Sequence, residues 1–158
     1  MRVRAAEAAD REWVESFLAE HNALRAARRG ELVNPLDHPM LIAETDAGQP
    51  AGLLTYIERD GDCEIFTLHA VRQWAGAGSA LIAAIRDLAA SHECRRLWVV
   101  TTNDNVDALR FYQRRGFRLA ALRRGAVDEA RRTLKPEIPA FGDHGIPLRD
   151  ELELEIRL

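Results

Sequence analysis

The chain has 158 residues, 47% of them hydrophobic and 30% charged, and a formal net charge of −3 at pH 7. This length fits a single domain over 1–158, and the charge balance argues against a nucleic-acid or anionic-membrane partner. Two cysteines are too few for a disulfide framework, and the N-terminus lacks the apolar core of a signal peptide. We therefore expect a cytoplasmic protein with reduced thiols.

The first half of the chain predicts a strand, two helices and three further strands. Residues 2–6 favour a short edge strand, and Asp10 is placed to cap a helix with Trp13, Val14, Phe17 and Leu18 on one face. The Arg-rich residues 22–32 predict a second helix, which ends near Gly30. Short turns separate the next three apolar runs, which favours an antiparallel meander of strands at 41–44, 52–58 and 64–71.

The second half alternates between helices and strands. The pattern predicts helices at 79–90 and 106–115, the latter with Gly116 at its C-cap, and strands at 97–100, 117–122 and 152–157. The long segment 124–150 reads as a loop, either a lid or a dimer arm. The order β-α-α-β-β-β-α-β-α-β-β indicates an α/β (α+β) fold with one mixed, mostly antiparallel sheet of about seven strands and helices on both faces.

A glycine turn follows the strand at 64–71 and leads directly into a helix. Small residues at such a junction leave backbone N–H groups open to a ligand, and the helix N-terminus carries partial positive charge. The turn therefore suits a phosphate group, although an ordinary strand-to-helix connection remains the alternative. It has no Lys-Ser/Thr pair of the kind that nucleotide-binding loops use. Its residues are Gln73, Trp74, Ala75, Gly76, Ala77, Gly78 and Ser79.

A second motif begins about thirty residues later, at Asn105. It has the pattern Asn-x-x-Ala-x-x-Phe-Tyr-x-x-x-Gly-Phe, carried by Asn105, Ala108, Phe111, Tyr112, Gly116 and Phe117. With the turn Gln73-x-x-Gly76-x-Gly78, this segment resembles the GNAT superfamily of N-acetyltransferases. The resemblance extends from about Cys63 to Leu122. The sequence departs from the family pattern in two places: Trp74 stands where the family often has glycine, and the usual arginine before the turn is absent.

The resemblance implies acetyl-CoA as co-substrate and no metal. It assigns the diphosphate of coenzyme A to the glycine turn, and the pantetheine arm to backbone groups of the preceding strand. Asn105 is a cofactor contact by resemblance and a helix cap by composition. The cofactor-binding residues implied are Leu68, His69, Ala70, Gln73, Trp74, Ala75, Gly76, Ala77, Gly78, Ser79, Asn105, Ala108, Phe111 and Tyr112.

Two side chains are the expected catalytic residues. By resemblance Tyr112 assists the departing thiolate, whereas its residue type alone is equally that of a core aromatic. The resemblance also implies a base that accepts the proton of the amine, for which Glu64 is the first candidate and His69 the second; a solvent-exposed Glu at the end of a strand is the alternative for Glu64. Strand alternation places Thr67 and His69 on one face and Glu64 on the other.

The expected reaction is transfer of an acetyl group to an amine by direct attack in a ternary complex, since neither cysteine is placed for a covalent intermediate. The acceptor is an unidentified amine of a small molecule or a protein, and dimers are common in the family. A catalytically silent CoA-binding sensor or interaction module of the same fold is the alternative function. Acidic residues that would suit a cationic acceptor are Glu129, Glu137, Asp143, Asp150 and Glu151.

Overall fold

The computed structural model describes all residues 1–158. Short 3-10 turns at Ala8–Asp10, Pro35–Asp37 and Asp143–Gly145 interrupt its connections. None of its helices is both long enough and apolar enough to cross a bilayer. The elements are β1 (Arg2–Ala5), α1 (Arg11–Glu20), β2 (Ala26–Arg28), β3 (Glu31–Val33), β4 (Met40–Glu44), β5 (Pro50–Arg59), β6 (Asp62–Ala70), α2 (Ala77–Ser91), β7 (Arg96–Thr102), α3 (Val106–Arg114), β8 (Arg118–Arg123), α4 (Ala126–Thr133) and β9 (Glu151–Arg157).

The chain divides into two compact units. The first unit contains Met1–Arg25, Asn34–Leu97 and Leu158, and the second contains Ala26–Val33 and Trp98–Arg157. In the first the strand order is β1-β4-β5-β6, and in the second it is β7-β9-β8. Along the chain these seven strands are interspersed with four helices. The strand pairs within each unit are predominantly antiparallel. The predicted α/β fold class is confirmed.

In the first unit, helix α1 packs on one face of the sheet. Its apolar side contributes Phe17 and Leu18 to a core cluster that also contains Ile42 of β4 and Leu53 of β5. Ile42 and Leu53 are register partners, so their side chains share a face. Leu18 is fully buried, which stabilises the unit by roughly 2 kcal/mol. The apolar side of α1 that the sequence predicted therefore covers this face of the sheet.

Helix α2 packs on the opposite face of the same sheet. Gly52 neighbours Leu53 on β5, and a Cβ atom at this glycine would lie 3.1 Å from Leu81 Cδ1 and 3.2 Å from Ala77 Cβ. Both of these residues belong to α2, and both are buried. The missing side chain at position 52 thus lets the first turn of α2 approach the backbone of β5.

Asp10 occupies the predicted N-cap position of α1, but its side chain does not cap that helix. The carboxylate instead accepts two hydrogen bonds from the Arg4 guanidinium, at 2.7 and 2.9 Å, and one from the backbone N–H of Glu7, at 2.7 Å. Arg4 also donates to Glu44 at 2.6 Å. Asp10 therefore ties the start of α1 to strands β1 and β4.

In the second unit, helix α3 ends as the sequence predicted. Gly116 has φ +93°, a left-handed conformation that glycine adopts at little cost. The N–H of Phe117 donates to the carbonyl of Tyr112, and that of Gly116 to the carbonyl of Gln113, each at 3.1 Å. This pair of bonds is a Schellman motif. It reverses the chain from α3 into β8.

The predicted second helix over 22–32 is wrong. Strands β2 and β3 form an antiparallel hairpin in which Arg28 pairs with Glu31. The two residues between them, Arg29 and Gly30, have φ values of +50° and +76°. Positive φ at both central positions defines a type I′ turn, which joins strands and ends any helix. The helix propensity of the arginines is outweighed by this turn and by the bond from the Arg29 N–H to Glu151 Oε1, at 3.1 Å.

The segment 124–150 is more ordered than the predicted loop, because it contains helix α4. Gly125 precedes this helix with φ +74°, and its N–H donates to Asp150 Oδ1 at 2.8 Å. The Arg131 side chain holds the rest of the segment by donating to three backbone carbonyls. Those carbonyls belong to Ile138, Pro139 and Leu148, at 2.9, 2.8 and 2.7 Å.

Candidate functional site

The glycine turn connects β6 to α2 in the first unit and is exposed from Val71 to Gly76. Gly76 is the N-cap of α2, with φ +93°, and Trp74 has φ +65° with 71% of its surface exposed. The helix begins at Ala77, two residues before the predicted start. Its first backbone bond runs from the Ala80 N–H to the Gly76 carbonyl at 3.0 Å. The N–H groups of Ala77 and Gly78, in the first turn, precede the first residue that can donate to a carbonyl of the helix backbone.

Strand β6 contains a bulge that changes which residues share a face. Thr55 of β5 pairs with Thr67, but the next residue, Tyr56, pairs with Ile65, so Phe66 is an extra residue on β6. Ile57 then pairs with Glu64. Because β5 is regular here, Thr55 and Ile57 share a face, and so do their partners.

Glu64 consequently lies on the same face of β6 as Thr67 and His69, and the prediction that it lies on the other face is wrong. Strict alternation fails because the bulge inserts one residue between Ile65 and Thr67. The Thr67 and Thr55 hydroxyls are hydrogen-bonded to each other at 2.8 Å. Glu64 is 4% exposed, so the alternative of a Glu exposed to solvent at a strand end is also wrong. The structure therefore brings Glu64, Thr67 and His69 together on the α1 side of the sheet.

His69 contacts aromatic side chains of α1. Its ring lies 4.5 Å from that of His21 and 6.4 Å from that of Phe17, measured between centroids. Burial, with a smaller contribution from His21, lowers the pKa of His69 to about 4. His21 Nδ1 donates to the carbonyl of Phe17 at 2.8 Å, because a carbonyl can only accept. His21 was not among the residues predicted for the site; its spacing of four residues from Phe17 is the signal in the sequence that could have indicated it.

The second unit holds the motif that begins at Asn105. Asn105 Oδ1 accepts a hydrogen bond from the Ala108 N–H at 3.1 Å, so Asn105 caps α3. Capping is the role that the residue type of Asn105 indicated, and the contact of Asn105 with a cofactor stays a prediction. Ala108 and Phe111 are half-buried on the same helix.

Tyr112 is buried, with 6% of its surface exposed. Its ring makes edge contacts with Phe111 and Phe117 at 5.2 and 5.1 Å. Burial raises the pKa of the phenol well above its ordinary value, so the hydroxyl stays protonated at neutral pH. The side chain is thus a core aromatic with a retained proton.

The predicted turn, the backbone of Leu68 to Ala70 and Glu64 belong to the first unit, and Asn105, Ala108, Phe111 and Tyr112 belong to the second. No group of three or more His, Cys, Asp or Glu side chains is arranged to hold a metal ion. Both cysteines are free and buried. Burial raises the pKa of Cys63 to about 12, and it also raises that of Cys94, so neither thiol is activated as a nucleophile.

The acidic residues considered for a cationic acceptor are partly engaged within the second unit. Glu151 is 3% exposed and accepts from the Arg29 N–H and from the Arg123 guanidinium. Asp150 accepts from the Gly125 N–H, and Glu129 pairs with Arg132 on the surface of α4. The carboxylates of Glu151 and Asp150 thus hold the unit together.

Comparison with known proteins decides the family. The model of the acetyltransferase (GNAT) family matches residues 3–117, which is most of the chain and includes both motifs. The chain belongs to the GNAT acetyltransferase family. The resemblance inferred from Gln73 to Ser79 and from Asn105 to Phe117 is confirmed.

Two relatives from Bacillus subtilis (strain 168) are similar over most of their length. The uncharacterized protein YdhI is 43% identical over 110 residues, which cover 70% of this chain and 68% of YdhI. The uncharacterized protein YxbD is 44% identical over 109 residues, covering 69% of this chain and 68% of YxbD.

Solved GNAT structures share the fold at lower identity. An IAA acetyltransferase from Bacillus cereus has a TM-score of 0.74 at 20% identity, covering 99% of this chain and 100% of its own. A Bacillus subtilis acetyltransferase in complex with CoA has a TM-score of 0.72 at 18% identity, covering 99% and 98%. A GNAT family acetyltransferase from Elizabethkingia anophelis, with acetyl-CoA bound, has a TM-score of 0.69 at 17% identity, covering 99% and 97%.

Proposed function

We propose that this protein, as one domain over 1–158, transfers the acetyl group of acetyl-CoA to an amine by direct attack in a ternary complex. Family membership supports an acyl-CoA N-acyltransferase. The exposed turn at the start of α2 is the observation that supports binding of a coenzyme A donor. The N–H groups of Ala77 and Gly78 lie in the first turn of α2, at a helix end with partial positive charge, which suits a diphosphate. The open space around Gly76 lets a phosphate approach the backbone.

The turn and the strand that precedes it have complementary roles in this proposal. The residues from Gln73 to Ser79 hold the diphosphate, and the backbone from Leu68 to Ala70 receives the pantetheine arm as an added strand would. A backbone N–H of β6 stabilises the oxyanion that forms when the amine attacks the thioester carbonyl. On α3, Asn105, Ala108 and Phe111 are the proposed cofactor contacts.

Tyr112 is the proposed proton donor to the departing thiolate. The raised pKa of its buried phenol keeps the proton in place. A hydrogen bond to the developing charge on sulfur lowers the barrier without full proton transfer. Glu64 remains the first residue that the sequence indicated as base, and its location on the α1 face of β6 puts it on the same side as His69.

A catalytically silent coenzyme-binding module is the second candidate function. The observation that favours it is the burial of both expected catalytic side chains, since Tyr112 is 6% and Glu64 is 4% exposed. Such a protein would bind acetyl-CoA but leave its thioester intact in the presence of amines.

A thermal-shift titration separates these outcomes when it is followed by an assay of free thiol. We expect acetyl-CoA to stabilise the protein by about 2.7 kcal/mol at a hundredfold excess over Kd, and dephospho-CoA and ATP to do so less. The same samples, given spermidine, an amino-acid amide, a lysine peptide and an aminoglycoside, should release CoA with at least one of these amines. Stabilisation without release would favour the silent module, and no shift at millimolar acetyl-CoA would exclude both functions.

A further inference from the structure

The His21 and His69 rings form a contact that neither motif of the family includes. The two rings are tilted by 31° with their centroids 4.5 Å apart, which is closer to stacking than to an in-plane hydrogen bond. The edge of Phe17 meets His69 at 81° and His21 at 61°. His69 is therefore fixed on two sides by aromatic rings that α1 provides.

The hydrogen bonding of His21 fixes its tautomer. Since Nδ1 donates to the carbonyl of Phe17, the proton of a neutral ring resides on Nδ1 and Nε2 is an acceptor. His21 is exposed at the end of α1, and His69 is half-buried beneath it. The pair thus connects a strand of the sheet to solvent.

His69 is better placed than Glu64 to meet a substrate. Both lie on the α1 face of β6, but Glu64 is 4% exposed, whereas His69 is half-buried beside the exposed His21. His69 is also nearer to the glycine turn, four positions before Gln73. Because its pKa is lowered, the ring is neutral at pH 7 and able to accept a proton.

We propose that His69 accepts the proton that the acceptor amine loses, and that His21 is its positioning residue; this inference rests on the proposed acetyltransferase function. The amine lone pair forms the C–N bond at the thioester carbonyl, and the C–S bond breaks. The proton leaves nitrogen for the unprotonated ring nitrogen of His69, and the thiolate takes its proton from Tyr112 or solvent. A weak base suffices because the attacking nitrogen becomes acidic as it gains positive charge.

The charges around His69 are few. At the C-terminal end of α1 the ionisable groups are His21, which contacts His69, and Glu20, which is exposed; on β6 Glu64 lies on the same face. The register partners on β5, which are Leu53, Thr55 and Ile57, carry no charge. His38 meets the extra residue Phe66, at 5.4 Å. Beside burial, the larger cause, the charge of His21 lowers the pKa of His69, so replacing His21 with an uncharged residue should raise that pKa.

The first test needs no known acceptor. In protein with ¹³C-labelled histidine, the ring signals of His69 and His21 are followed during titration with CoA and with acetyl-CoA. We expect acetyl-CoA to shift the His69 signal differently from CoA, because only the acetyl group differs. Identical shifts would overturn the inference while leaving coenzyme binding intact. Failure of either ligand to bind would instead contradict the proposed function itself.

The second test uses the amine that gives the fastest CoA release. His69→Asn should lower kcat/KM for the amine a hundredfold or more, with the KM for acetyl-CoA within twofold of wild type. Added imidazole should restore part of the activity of His69→Gly, which a purely structural role would not allow. His69→Gln replaces either variant that fails to fold. His92→Asn is the matched control, since His92 is exposed on α2's end and pairs with Glu58.

His21→Phe preserves a ring against His69 but removes its charge and its Nδ1–H. We expect the acidic limb of kcat/KM to move to higher pH, with a loss of about tenfold or less at pH 8. If His69→Asn and His21→Phe both keep full activity and the wild-type pH profile without added imidazole, the inference is overturned.

Discussion

Asp143 donates its backbone N–H to Oδ2 of Asp104 at 2.9 Å, although the two residues are 39 positions apart in the chain. Asp104 is buried next to the N-terminus of α3, and Gly142 lies directly against its carboxylate. This contact fastens the segment after α4 to the start of the helix that carries Asn105 and Tyr112.

Replacing Gly142 with alanine should disrupt this contact. A Cβ atom there would collide with Oδ2 of Asp104, so the carboxylate or the segment must move, and we expect the bond to Asp143 to be lost. We expect the free energy of unfolding to fall by about 1–3 kcal/mol, measured by urea denaturation. Gly48→Ala is the control, since its φ of +76° lies in open space and should cost at most about 1 kcal/mol. Equal effects of the two substitutions would contradict the prediction.

Gly76→Ala should weaken acetyl-CoA binding about tenfold or more, because the added methyl group crowds the proposed phosphate contact. Gly125→Ala is a matched control. Both glycines are helix N-caps with positive φ, +93° and +74°, and neither has an atom within 4 Å of its Cβ position. Each variant should lose about 1 kcal/mol of stability, but only the first should lose affinity, as measured by calorimetry. A similar Kd for both would remove the turn from the site.

Tyr112→Phe should lower kcat about tenfold or more and leave the KM for acetyl-CoA nearly unchanged. Because burial raises the pKa of this phenol, its ionisation should not limit kcat up to pH 10. Tyr56→Phe removes the other tyrosine hydroxyl, also buried, and serves as the control in the same steady-state assay. Unchanged kcat in Tyr112→Phe would leave Tyr112 as a core residue only.

Asp10→Asn should destabilise the protein at neutral pH but not in acid. The Arg4 guanidinium, with help from the Glu7 N–H, lowers the pKa of Asp10 from 3.8 to about 2. The ionised carboxylate therefore stabilises the fold above about pH 4, and this contribution is lost as the pH falls towards 2. We expect a loss of about 1–2 kcal/mol at pH 7, after allowance for solvent screening, and little difference near pH 2.

Asp46→Asn supplies the control for this experiment, since Asp46 is fully exposed and lies 3.9 Å from the N-terminal amine. Its denaturation curve should coincide with that of wild type at both pH values. A loss for Asp10→Asn that does not depend on pH would attribute the effect to packing instead of charge.

Local patterns were sufficient for much of the fold. The apolar spacing of Phe17 and Leu18, the alternation of β9 and the glycine after α3 each depend on a few neighbouring residues, and each was predicted correctly. The two motifs likewise carry the family in short contiguous stretches. The predictions failed where an element is held in place by contacts between residues that are distant in the sequence. The β2–β3 hairpin is held by Glu151, more than a hundred positions away, and α4 is held by Asp150.

The candidate site divides in the same way. The sequence by itself determined the family, the glycine turn and the Asn105 cap, because backbone geometry at a helix end follows from the residues that form it. Only the tertiary structure decided that Glu64 shares a face with His69, and that His21 stacks on His69. One inserted residue in β6 reverses a face, and a ring contact between α1 and β6 depends on packing that neither segment encodes alone.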